Sequence, residues 1–137
     1  MTVSLAALPK GHEFAETTFK MTQEWVSDYV AAVEDEAVGS LHDHSIPPLA
    51  LAALSIRALL ERAALPEGAI HVSQELSFSL RGEVRHALVA RARIASRGER
   101  QGWVLMSIEL TVEDETGTPL MNGRSTITFP ATSGTPA

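Results

Sequence analysis

Residues 46–64 read IPPLALAALSIRALLERAA, and how that stretch folds decides the rest. Leu49, Ala52, Ala53, Ile56, Leu59, Leu60 and Ala63 recur at steps of three and four, which places them on one face of a helix. Leu51, Leu54 and Ala58 widen that surface beyond a stripe, so the spacing predicts one long helix enclosed by the rest of the domain. Ser55, Arg57, Glu61 and Arg62 are its only polar residues, and three of them fall in the last two turns, so the N-terminal half should be the deeper part. Pro47 and Pro48 suit a helix start, where backbone N–H groups lack intrahelical partners. Leu65, Pro66, Glu67 and Gly68 end it. Charges interrupt the run before the ~20 apolar residues a membrane span needs.

Such a helix needs a sheet around it, and the chain after residue 69 changes period from 3.6 to 2. Residues 70–80 alternate with Val72, Leu76, Phe78 and Leu80 against polar neighbours, which leaves Glu75 facing away from them, and Arg81 to Glu83 form a turn. Residues 84–95 place Leu88, Ala90, Ala92 and Ile94 opposite Val89, Arg91 and Arg93. Residues 96–102, SRGERQG, read as a hairpin loop. Residues 103–113 alternate without a fault, with Val104, Met106, Ile108, Leu110 and Val112 on one face. A turn with Gly117 follows, and residues 120–129 close the sheet, Gly123 marking a bulge or a close backbone approach.

Before the central helix the pattern is looser. Residues 1–12 read as an extended lead-in and 13–21 as a short strand. Thr22 is an N-cap for a helix over 23–33, with Glu24 in its first turn and Trp25, Tyr29 and Val33 as an apolar ridge. Residues 34–46 then gather Glu34, Asp35, Glu36, His42, Asp43 and His44 in a polar linker between two helices, the kind of segment on which site residues sit.

The 137 residues make one domain, 13–130, with a disordered tail at 131–137. No cysteine means no disulfide, thiolate nucleophile or thiolate metal site. The net charge of −6 argues against nucleic-acid binding. No export signal opens the chain, so a cytoplasmic location is the default. Arg81, Arg85, Arg91, Arg93, Arg97 and Arg100 either line solvent faces of strands or meet a phosphorylated ligand. His42, Asp43 and His44 are too few for a metal site, and none is assigned. His12, His71 and His86 read as ordinary surface or satisfied histidines.

The order of a strand, a short helix, an apolar helix and four antiparallel strands is that of an α+β hot-dog domain, about five strands wrapped around one long helix. Specific runs extend the likeness. MTQEWVSDYVAAVEDE (21–36), IPPLALAAL (46–54), HVSQELSFSLRGEV (71–84) and VEDETGTPLMNGRSTITFP (112–130) resemble the MaoC-like acyl dehydratase and hydratase family, most closely its N-terminal, often non-catalytic, domain. The resemblance implies a lyase that, without a cofactor, hydrates a 2-enoyl or dehydrates a 3-hydroxyacyl thioester of coenzyme A or a carrier protein, in fatty acid or polyketide metabolism. In that family an aspartate and a histidine in the loop after the first helix activate water, and a backbone N–H at the start of the central helix polarises the thioester oxygen.

Carried over, Asp35 matches the aspartate and His42, alternatively His44, the histidine. The family spacing falls on Ser40, and the usual Asn-Pro is absent. The oxyanion donor matches Pro48, which has no N–H, so Leu49 would have to supply it. These departures keep two alternatives open: a non-catalytic acyl-thioester-binding subunit of a paired dehydratase, and a hot-dog thioesterase using Asp35, Glu36 or Asp43. A lone curved sheet leaves an open edge, which predicts a homodimer or a heterodimer with another hot-dog chain.

Overall fold

A computed structural model describes residues 3–20, 22–33, 46, 48–79 and 86–131. In chain order the elements are β1 (Val3–Ser4), a 3-10 turn (Leu5–Ala7), β2 (Thr17–Phe19), α1 (Gln23–Val33), α2 (Pro48–Arg62), β3 (Ala63–Ala64), β4 (Ile70–Phe78), β5 (Leu88–Arg100), β6 (Trp103–Asp114) and β7 (Pro119–Pro130). Five strands form one antiparallel sheet in the order β2-β5-β6-β7-β4, and α2 packs across β5, β6 and β7.

The faultless alternation of 103–113 becomes the central strand β6. Its inward residues Val104, Met106, Ile108, Leu110 and Val112 are all buried. They meet Leu88, Ala90 and Ile94 of β5 and Met121, Ile127 and Phe129 of β7 in one core with Leu51, Ala52 and Leu59 of α2. Burial of that continuous apolar surface is the main force holding helix to sheet.

The helix is shorter and differently turned than its apolar residues predict. It spans 48–62, and Ala63–Ala64 leave it to pair in parallel with Val3–Ser4. Its buried face is Ala50, Leu51, Ala52, Ser55, Ala58 and Leu59, while Leu49, Ala53 and Leu60 are exposed. The face is therefore rotated by roughly a third of a turn from the one read at steps of three and four. Ser55 lies on that buried face. A hydroxyl argues for solvent, yet Ser55 Oγ donates to the Ala52 carbonyl at 2.9 Å and so enters the core with its polar group satisfied. The N-terminal half does hold most of the buried residues, and the described residues leave Leu49, Ala53 and Leu60 uncovered.

Three other boundaries differ from the sequence reading. The first dozen residues hold a short strand and a 3-10 turn that seats Leu5 in the core, with Ser4 Oγ accepting from Ala6 N at 3.2 Å. The strand expected over 13–21 is regular only at Thr17–Phe19; upstream, Gly11, His12 and Phe14 hydrogen-bond to Ile94 and Ala92 as an irregular extension. Residues 96–100 are strand rather than loop: a bulge between Ile94 and Ser96 lets β5 run on to Arg100. The reversal needs only Gln101 and Gly102, at φ 53° and 83°, the two successive positive values a tight hairpin turn uses.

The N-cap reads as anticipated: Thr22 Oγ1 accepts from Trp25 N at 3.0 Å. The turn after β6 is organised by Asp114, whose Oδ1 accepts from Thr116 Oγ1 at 2.6 Å, Thr116 N at 2.9 Å and Thr118 N at 3.0 Å. The Thr116 hydroxyl, ahead of the backbone donors, holds the Asp114 carboxyl below its usual range. Gly123 marks a close approach: a Cβ there would lie 2.8 Å from the Glu75 carbonyl oxygen of β4.

Candidate active site

The candidate site is where the linker ahead of α2 meets the start of that helix. Ile46 is fully buried just before it, and Ala50 and Leu51 are fully buried in its first turn, so the apolar floor is laid by the chain's own core. Pro48 is the first helical residue, so the first backbone donor of α2 belongs to Leu49. The Leu49 side chain is 60% exposed. The sequence-derived substrate-binding pair Pro48 and Leu49 therefore sits at the helix N-terminus. Asp35, His42 and His44, with Glu36, Asp43 and Ser40, lie outside the described residues.

Among the described residues, Arg91, Arg93 and Arg97 are engaged rather than gathered on an open anion site. Arg91 pairs with Glu16 at 2.9 Å and with Glu113. Arg93 donates to Glu109 at 2.8 Å, and Arg124 approaches the same carboxylate at 3.3 Å. Arg97 donates to the Leu8 carbonyl and lies 5.9 Å from the centre of the Phe129 ring. Arg81 and Arg85 lie outside the described residues. By register, Glu13, Arg93, Glu109, Arg124 and Glu75 form a row of alternating charge across the outer face, one residue from each successive strand or edge segment. The Arg93 hydrogen bond, first among several causes, holds Glu109 below the usual carboxylate range, and its counterpart raises Arg93. The row lines shallow hollows on the side of the sheet away from α2. It is a solvated, self-neutralising surface with Glu75 at its open end.

A polar contact that the strand pattern does not display lies on the inner face. His71 Nε2 is 3.2 Å from Ser125 Oγ, and Ser125 lies 3.0 Å from Gln74 Oε1. Ser125 stands in register with the buried Ile108, on a face that is otherwise apolar. The signal was present in β7, where Gly123 and Ser125 interrupt an inward series of Met121, Ile127 and Phe129. On the same face of β4 Phe78 is exposed, and Ile70 (55%) and Val72 (54%) are exposed around the register shift at His71/Ser73.

The architecture has close counterparts among solved structures. The MaoC-like dehydratase from Rhodospirillum rubrum superposes with a TM-score of 0.75 at 14% identity, over 93% of this chain and 97% of that one. The (R)-hydratase PhaJ1 from Pseudomonas aeruginosa gives 0.72 at 19% identity, over 94% and 86%. The HadBC (3R)-hydroxyacyl-ACP dehydratase complex from Mycobacterium tuberculosis gives 0.70 at 18% identity, over 91% and 100%. No protein-family model matches the chain, and no curated protein matches its sequence. The fold is the α+β hot-dog fold, as found in MaoC-like dehydratases and (R)-hydratases. No helix among the described residues is long and apolar enough to cross a membrane.

Proposed function

We propose that this chain is a hydratase or dehydratase subunit that handles 2-enoyl or 3-hydroxyacyl thioesters at the start of α2. The observation that carries the reading is the hot-dog likeness over more than nine-tenths of the chain to proteins described as hydratases and dehydratases. Asp35 and His42, or His44 in its place, hold one water between them. The water oxygen adds to C3 of the enoyl chain while a proton is delivered to C2, and dehydration is the reverse. The Leu49 N–H, the first donor of α2, hydrogen-bonds the thioester oxygen as negative charge develops there. Crotonyl-CoA hydration, followed by loss of enoyl absorbance, tests this: Asp35→Asn and His42→Ala should each lower kcat by about a hundredfold or more. Full activity in both removes these residues from the mechanism.

A second reading has its own support. Pro48 removes a donor at the first helical position, and β4 presents an open, apolar edge, both of which suit a binding subunit whose partner supplies the chemistry. HadBC and the ChsH1-ChsH2 complex from M. tuberculosis are two-component structures with this fold. On either reading β4 joins the edge strand of a second hot-dog chain, identical or not. A monomeric mass by light scattering, alone and with candidate partners, would remove the assembly. The thioesterase alternative has no described carboxylate at the start of α2; Glu61, the helix's only acid, pairs with Arg57 near the other end. Free thiol released from an acyl-CoA would favour it.

A further inference from the structure

A groove of about 280 Å³ lies between β2, the first turn of α1 and the C-terminal half of α2. Phe19, Trp25 and Leu54 supply an apolar, partly aromatic wall, all three half-buried against the core. Lys20 and Arg57 add two cations and Glu61 one carboxylate, so the groove carries a positive excess on a chain of net charge −6. Lys20 has no ion-pair partner among the described residues. Arg57 meets Glu61 at 3.4 Å with both side chains more than half exposed, a contact that holds the guanidinium only weakly. Several other arginines are already engaged: Arg91, Arg93 and Arg124 by carboxylates, and Arg62 by the Glu16 carbonyl and Thr17 Oγ1.

We infer that this groove receives the nucleotide half of a coenzyme A thioester, the purine against the aromatic wall and a phosphate between Lys20 and Arg57. The inference rests on the acyl-thioester reading and narrows it to coenzyme A rather than a carrier protein. A flat base suits an indole and a phenyl ring, and a phosphate is matched by two cations on separate elements. The spacing along α2 also fits. Arg57 follows Pro48 by nine residues, so the groove and the helix start are separated by ~14 Å along the axis, a span that an extended pantetheine arm covers. Of the arginines first read as phosphate partners, Arg91 and Arg93 belong to the outer-face ion pairs, while Lys20 and Arg57 come from elsewhere in the chain.

The test is a titration of the full chain with adenosine 3′,5′-bisphosphate in a Trp103→Phe background, where Trp25 is the one tryptophan left. Saturable quenching of Trp25 is expected, with Kd on the order of 1 mM or tighter. Lys20→Glu and Arg57→Glu should each raise Kd about fivefold or more, with unchanged circular dichroism, and the effect should shrink in high salt. Absence of quenching, or an unchanged Kd in both variants, overturns the site. Equal affinity for ATP overturns the coenzyme assignment. Crotonyl-CoA hydration is measured separately. Nucleotide binding without hydration keeps the groove and sinks the enzyme reading, whereas hydration without binding at Trp25 does the opposite.

Discussion

β6 and β4 are both strands of alternating sequence, yet they live in opposite surroundings. β6 lies between two strands under α2, with every inward residue from Val104 to Val112 buried. Among the described residues β4 pairs only with β7, no helix packs over it, and Ile70, Val72 and Phe78 are open to solvent. Alternation reports that a strand has two different faces; what covers the apolar one depends on the rest of the assembly. The difference separates the buried centre of the sheet from an edge strand whose apolar residues face solvent.

The largest contrast should come from paired truncations. Phe129→Ala removes a fully buried ring from the core under α2 and should cost about 3–5 kcal/mol in urea unfolding. Phe78→Ala on the open strand should cost the isolated chain less than about 1 kcal/mol while weakening assembly at least about tenfold by light scattering. Equal costs for the two would break the comparison.

Much of the core could be read before the structure because its signals are local. The strand faces of β5, β6 and β7 follow from alternation, and the cap at Thr22 from one hydroxyl. What escaped depends on backbone partners and pairing that a side-chain pattern does not display. Ser55 stood out only as one of the helix's few polar residues, because its acceptor, the Ala52 carbonyl, is a backbone group that no side-chain pattern displays. The extension of β5 through Gly98 to Arg100 depends on a bulge and on pairing with residues 103–107. At the candidate site, Pro48 and Leu49 were placed correctly at the helix start, since a proline pair is a strong local signal. His71, read as an ordinary surface or satisfied histidine, is exposed and lies against Ser125, fifty-four residues away.

A smaller effect tests how β4 is held. In Gly123→Ala the new methyl would press on the Glu75 carbonyl at 2.8 Å, and backbone, unlike a flexible side chain, yields at a cost. About 1–3 kcal/mol of destabilisation is expected, with the earliest loss of amide protection in β4 rather than β6. Uniform loss across the sheet would mean that the two strands unfold as one unit.

The smallest effect is electrostatic. Glu109 is held below its ordinary value of 4.5, first by the Arg93 hydrogen bond, so its contribution is present above that value and lost as pH falls through the lowered one. Glu109→Gln should therefore lower the urea midpoint slightly near neutral pH, and the gap from the parent should close in acid. A gap that persists at low pH would assign the change to packing instead of charge.

The pairing of Val3–Ser4 with Ala63–Ala64 has a kinetic consequence. The β5–β6 and β6–β7 hairpins close over turns of a few residues, whereas this two-residue clasp closes a loop running from residue 3 to residue 63. Loop closure of that length is entropically costly and returns little until α2 is seated, so the clasp forms late. Leu5, fully buried beside it, then acts as a latch on the finished domain, docking only after the meander it rests on has been built.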